Sequence, residues 1–253
     1  MAKKYYLVVG ILIALILGTA TVYADPSQKT NYDTIFQVST LNSLSAGNFS
    51  GNWTINEVKA HGNTGMGTLN GLDGEMVELN GNVYQIKSNG TVYIVNDSAN
   101  TPFAMTVPFK TDKIIILNSS MNLTELEQYL NGTVPSKNMF YSIKVIGTFN
   151  SIKARSPPKQ NEPYPTLNEA LKNQTIFNFN NITGTMVGFW CPSYASDVNL
   201  NDYHFHFISE AKNSGGHVLD CQLKGAIIEI DYIPEDNVLF SNGSVLNVNS
   251  SAN

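Results

Sequence analysis

Tyr203-His204-Phe205-His206-Phe207-Ile208-Ser209, then a Ser214-Gly215-Gly216 turn, then His217-Val218-Leu219-Asp220, is the stretch on which the reading of this chain turns. The chain has four histidines, and three of them fall in the fifteen residues from Tyr203 to His217. Aromatic and β-branched residues on both sides of a Gly-Gly pair predict an antiparallel hairpin, whose side chains alternate between two faces. Tyr203, Phe205 and Phe207 then share a face that can enter a core, and His204, His206 and Ile208 share the other. Imidazoles at i and i+2 on one strand lie roughly 7 Å apart. A third imidazole, from His217 on the returning strand, can close three corners of a zinc tetrahedron and leave the fourth open, as catalytic zinc sites do. Sequence leaves the hairpin register open, and with it whether His217 faces the other two. The plain alternative for each imidazole is a turn cap or a solvated strand face.

Outward from the hairpin, the pattern is that of a mixed α+β chain in two sheet-containing halves with short helices, the zinc site lying on a hairpin of the C-terminal half. In residues 25–155, strands are expected at 35–38, 65–86 (as hairpins), 92–95, 103–109, 113–117 and 139–149. Asp73-Gly74 and Asn80-Gly81 mark tight hairpin turns. Helices are expected at 55–59 and 122–130, the second ended by Asn131-Gly132. Residues 40–45 are expected to lead into a turn. Residues 156–165, with Pro157, Pro158, Pro163 and Pro165, cannot pair in a central strand and read as a rigid crossing loop. In the half spanning 156–240, a helix at 166–172 precedes strands at 177–181, 184–190, the histidine hairpin and 226–233. Residues 241–253 read as a mobile polar tail.

The composition suits a globular protein, with 42% hydrophobic and 10% aromatic residues. A net charge of −5 argues against a nucleic-acid partner, which demands a basic surface. Residues 1–24 combine Lys3 and Lys4, an apolar run from Tyr5 and a small-residue site at Val22-Tyr23-Ala24, the pattern of a signal peptide. The apolar run through residues 5–24 is also long enough to be an uncleaved membrane anchor. Either way the domain is expected outside the cytoplasm. Eleven Asn-x-Ser/Thr sequons agree with an exported, glycosylatable chain. Cys191 and Cys221 are compatible with a disulfide there, and without C-x-x-C spacing both read as structural residues, not ligands.

Two further residues draw attention on chemical grounds. Of fifteen basic residues, Arg155 alone is arginine, and it is expected in a proline-braced loop. A planar guanidinium in that setting suits bidentate capture of a carboxylate, against the plain reading of a surface arginine. Glu75 follows the Gly71-Leu72-Asp73-Gly74 turn, from which a strand can present a carboxylate to a cleft. Asp73 and Glu78 offer the solvated alternative. His61, in a Gly-rich loop, is a candidate site wall, though local structure is its simpler role.

Residues 62–75, Pro135-Ser136-Lys137-Asn138-Met139-Phe140-Tyr141, Gly184-Thr185-Met186-Val187-Gly188-Phe189-Trp190 with Pro192, Tyr194 and Ala195, and the histidine hairpin closely resemble the α-acetolactate decarboxylases. The resemblance covers residues 36–233. It implies Zn2+ on His204, His206 and His217, an active-site arginine at Arg155 and an active-site glutamate at Glu75. The implied reaction is decarboxylation of 2-hydroxy-2-methyl-3-oxobutanoate to acetoin. It also implies a homodimer. One departure stands out: similar family members carry a second active-site glutamate on a C-terminal tail, whereas this sequence has no acid after Asp236. Its rate or stereochemistry is expected to feel that difference more than its reaction class. Two other readings remain open, an extracellular zinc hydrolase using Glu75 as base and a zinc-containing binding module without turnover.

Overall fold

Short apolar segments punctuated by Gly, Asn and Asp favour strands joined by tight turns, and strands dominate this molecule. A computed structural model describes residues 34–196, 198–199 and 201–240, and the backbone of 245–249. The expected signal peptide or anchor at residues 1–24 lies outside the described residues. In chain order the strands are β1 (Thr34–Val38), β2 (Trp53–Thr54), β3 (Thr64–Thr68), β4 (Glu75–Leu79), β5 (Asn82–Ile86), β6 (Val92–Ile94), β7 (Asn100–Thr101), β8 (Phe103–Val107), β9 (Lys113–Leu117), β10 (Met121–Asn122), β11 (Phe140–Ser156), β12 (Thr175–Cys191), β13 (Asp202–Ser209), β14 (Gly215–Ile233), β15 (Glu235–Leu239) and β16 (Val245–Asn249). Four short helices, α1 (Leu41–Ser45), α2 (Ile55–Lys59), α3 (Leu123–Asn131) and α4 (Leu167–Leu171), punctuate them. The chain is thus mixed, with few short helices and mostly strand.

The first sheet runs β16-β15-β1-β8-β3-β4-β5-β6. All its pairings are antiparallel except β1 with β15. Asn80 and Gly81 both adopt positive φ, 52° and 75°, which gives the tight turn joining β4 to β5 the twist a hairpin requires. β3, β4 and β8 are buried at every position, so this sheet is covered on both faces. One cover is α2, started by a Thr54/Glu57 capping box and packing Ile55 and Val58 against Met76 and Ala104. The other is the second sheet, met where Val77 and Ile86 pack on Val187 and Ile208.

The second sheet runs β10-β14-β11-β12-β13, with β9 also on β14. β13 pairs with β12 on one side and with the start of β14 on the other, which closes β11, β12, β13 and β14 into a ring. Its interior is filled by Ile143, Phe149, Met186, Phe205, Phe207 and Ile228. Phe205 and Phe207 therefore face the core, and His204, His206 and Ile208 face the first sheet, the sorting that the alternation predicts.

Several local expectations change. The separate strands expected at 177–181 and 184–190 are one 17-residue strand, β12. The strand expected to end at 149 continues to Ser156, so Arg155 stands on a strand paired on both sides, not in the crossing loop. Residues 41–45 form helix α1, because the Thr40 hydroxyl caps it by accepting from the Ser43 N–H. The second sheet draws β9, β10 and β11 from residues 113–156, and β15 and β16 return to the first sheet. Of the expected tail, residues 241–244 and 250–253 lie outside the described residues, and Val245–Asn249 pair with β15. Cys191 and Cys221 are both free and buried in different clusters, so no disulfide joins them.

Candidate active site

Directly opposite residues on neighbouring strands project to the same face. Arg155 on β11 pairs with His217 on β14, and His217 pairs with His206 on β13. These three form one cross-strand row, and His204 joins it two residues along β13. The row exists because of a β-bulge. Lys153 faces Asp220, and without interruption Arg155 would face Val218, whose side chain enters the core. The register shifts between Lys153 and Ala154, leaving Leu219 and Asp220 consecutively exposed. The extra residue on β14 moves His217 opposite Arg155, which the unbroken alternation of β11 already turns away from the core.

One ligand atom from each of His204, His206 and His217 lies within 4.8 Å of the others. His204 Nε2 is 3.0 Å from His217 Nδ1. His206 Nδ1 is 2.8 Å from the Met76 carbonyl oxygen, which can only accept, so the proton sits on Nδ1 and the Nε2 lone pair is left for a ligand. Burial holds all three imidazoles neutral. It pushes His204 well below its ordinary value, with His206 and Arg155 adding to the effect, and His217 likewise, with His204 next in weight. His206 falls to about 4, burial outweighing its bond to Met76. Neutral imidazoles are the form that binds metal, and three protein donors are the number found in catalytic zinc sites. The donor set therefore fits a divalent transition ion.

Glu75 enters from the first sheet. Its Oε2 lies 3.4 Å from His206 Nε2. Burial raises its carboxyl to about 7, against the opposing pull of Arg155. Thr68, its cross-strand partner, donates its hydroxyl to the Gly74 carbonyl at 2.7 Å and so pins the turn from which Glu75 emerges. Arg155 Nη1 donates to Gln174 Oε1 at 3.0 Å, and Nη2 lies 3.4 Å from His217 Nε2. All five expected residues line one cavity of about 280 Å³. Leu41 and Leu44 of α1, Leu167 and Leu171 of α4, Leu72 and Phe103 provide its apolar wall.

His61 is elsewhere: it stacks on Phe36 with ring centroids 3.7 Å apart and does not line the cavity. Sequence reading missed Gln174, Thr68 and the helical wall. Only the wall left a signal, in Thr40 as a helix cap before Leu41 and Leu44. For Gln174 no local pattern points to the site, because its relation to Arg155 arises from strand pairing.

A buried cation-bearing cavity with three neutral imidazoles and a carboxyl poised near neutrality describes an enzyme for a small anionic substrate. The family model described as alpha-acetolactate decarboxylase matches residues 35–245. The alpha-acetolactate decarboxylase of Methanosarcina mazei is 44% identical over 199 residues, 79% of this chain and 69% of that protein. That of Brevibacillus brevis is 40% identical over 243 residues, 92% of this chain and 85% of that protein. The crystal structure of alpha-acetolactate decarboxylase from Bacillus subtilis strain 168 superposes with a TM-score of 0.81 at 37% identity, covering 83% of this chain and 89% of that one. The chain belongs to the alpha-acetolactate decarboxylase family and is a carboxy-lyase.

Proposed function

We propose that this chain converts 2-acetolactate (2-hydroxy-2-methyl-3-oxobutanoate) to acetoin and CO2 with Zn2+ held by His204, His206 and His217. Loss of CO2 from a 3-oxo acid leaves an enediolate that must gain one proton to become acetoin. When bound, the ion supplies a Lewis acid that draws charge from neighbouring oxygens. Arg155 holds the substrate carboxylate with the free N–H groups of its fork and stabilises the developing anion. Glu75, raised to about 7, can carry the proton at neutral pH and deliver it from the side of the first sheet. The leucines of α1 and α4 exclude water, which favours departure of uncharged CO2 and preserves the enediolate until it is protonated.

The observation that carries this reading is the convergence of Arg155, Glu75 and the three histidines on one cavity, from two sheets. The test is acetoin and CO2 release from racemic acetolactate by the full chain, with and without a chelator, beside metal content per chain. Chelator-sensitive acetoin formation with about one zinc per chain is expected. One zinc without acetoin would leave a binding module. On the pattern of residues 1–24 we further place the enzyme outside the cytoplasm, secreted or tethered. Sequencing the N-terminus of protein recovered from medium and membranes decides between the two.

A further inference from the structure

The geometry points to Gln174 as the positioning residue that aims the Arg155 guanidinium at the substrate carboxylate. This inference rests on the reading of Arg155 given above. Arg155 stands next to the last residue of β11, and Gln174 immediately precedes the antiparallel partner β12. The two side chains meet across that pairing, at 3.0 Å from Nη1 to Oε1. A guanidinium has no acceptor, so the amide oxygen of Gln174 must face it and the amide nitrogen must point away. Gln174 is itself anchored, its backbone N–H donating to the Leu171 carbonyl at the end of α4. Leu167 and Leu171 of α4 line the cavity. One short segment thus supplies both the apolar wall and the bond that fixes the cation beside it.

The type of residue matters as much as its place. An aspartate or glutamate here would also hold Arg155, but it would neutralise the charge and compete with the substrate for the same fork. A neutral amide takes one N–H and leaves the positive charge undiminished. Among the described residues, buried Nε of Arg155 has no hydrogen-bond partner, and the contact of Nη2 with His217 is long at 3.4 Å. Gln174 is therefore the strongest protein restraint on the orientation of this side chain.

The test compares a carboxylate inhibitor, 2-hydroxy-2-methylpropanoate, with its uncharged primary amide on the metal-loaded full chain. Gln174→Met, similar in length, removes the bond, and Gln174→Glu keeps the bond and adds a charge. If Gln174 aims the guanidinium, Gln174→Met weakens the carboxylate about tenfold and the amide by less than about twofold, the size of one hydrogen bond to a charged group. KM for acetolactate rises more than kcat falls, and metal content stays at the parent level. Gln174→Glu shows the same selective loss, larger, and covers the case in which Gln174→Met does not fold. Equal weakening of both inhibitors would reduce Gln174 to a structural residue and overturn the inference. Arg155→Lys is the control. If it loses carboxylate selectivity and neither Gln174 variant does, the inference fails alone; if it keeps that selectivity, the reading of Arg155 fails and takes this one with it.

Discussion

The two sheets contribute to the site in opposite ways. The first is made of short strands joined by tight turns, and it delivers one catalytic candidate, Glu75, at the start of β4. The second closes three strands of 17 to 19 residues and the eight-residue β13 into a ring, and it delivers Arg155 and all three histidines in adjoining positions. Arg155, His206 and His217 are each paired with neighbouring strands on both sides, and His204 is paired with Phe189 on one. Glu75 reaches the histidines only through face-to-face packing, aided by the bond from His206 to the Met76 carbonyl. On the proposed reading, metal and substrate charge fall to one hydrogen-bonded sheet, and the proton to another that packs against it.

The largest effect expected is from the ring. His206→Ala should remove most bound metal and lower kcat/KM by at least about 10³-fold, since it deletes one of three ligands. Metal analysis beside turnover checks this, and full activity with metal retained would break the comparison. Glu75→Gln should lower kcat by about 10²- to 10³-fold, the range for loss of a positioned proton donor, while metal content stays at one ion per chain. Metal loss in Glu75→Gln would show that the first sheet shares the metal-holding task. Arg155→Lys should cost about 10- to 100-fold in kcat/KM, because an ammonium keeps the charge but not the planar fork. A hydrolase reading predicts little change in that variant.

The smallest effect sharpens the comparison from the far edge of the first sheet. Asp236 on β15 is fully buried, and burial raises its carboxyl to about 8 although Asn199 donates to Oδ2 at 3.1 Å. The unfolded value is about 3.9. Between the two the native state holds a proton that the unfolded chain has released, so stability is full below about pH 4 and falls as pH rises toward 8. Asp236→Asn should flatten this slope and gain on the order of 1–2 kcal/mol at pH 8 relative to the parent. Urea unfolding at pH 5 and pH 8, with metal removed, measures it. A parent slope retained in the variant would show that another group carries it.

Much of this was legible in the chain, and the rest was hidden for identifiable reasons. His204 and His206 were readable because period-two alternation is local, and the turn at Asn80-Gly81 because left-handed backbone selects those residues, whereas Asp73-Gly74 only ends a longer loop in which Leu72 and Gly74 take the positive φ. The full lengths of β11 and β12 were not. Gly184 and Asn181, which carries positive φ at 49°, read as interruptions, yet β12 runs on because β11 pairs with it from Thr175 to Trp190, and β11 runs on because it has partners on both sides. Arg155 stands out by its rarity yet reads as a loop residue, since Pro157 and Pro158 follow so closely. The ring closure and Gln174 depend on pairing across long separations, which no local pattern reports.

The bulge at Leu219 behaves as a phase shifter between two halves of one strand. At Cys221 and Leu223 β14 turns its odd-numbered residues to the core, and at Val218 it turns an even-numbered one. A single-residue deletion there would leave both hydrophobic stripes intact as patterns, yet could satisfy only one of them at a time. The chain would have to choose between a sealed core and an inward-turned metal donor. The insertion lets it have both, so the convergence of the three imidazoles hangs on a residue that does not line their cavity.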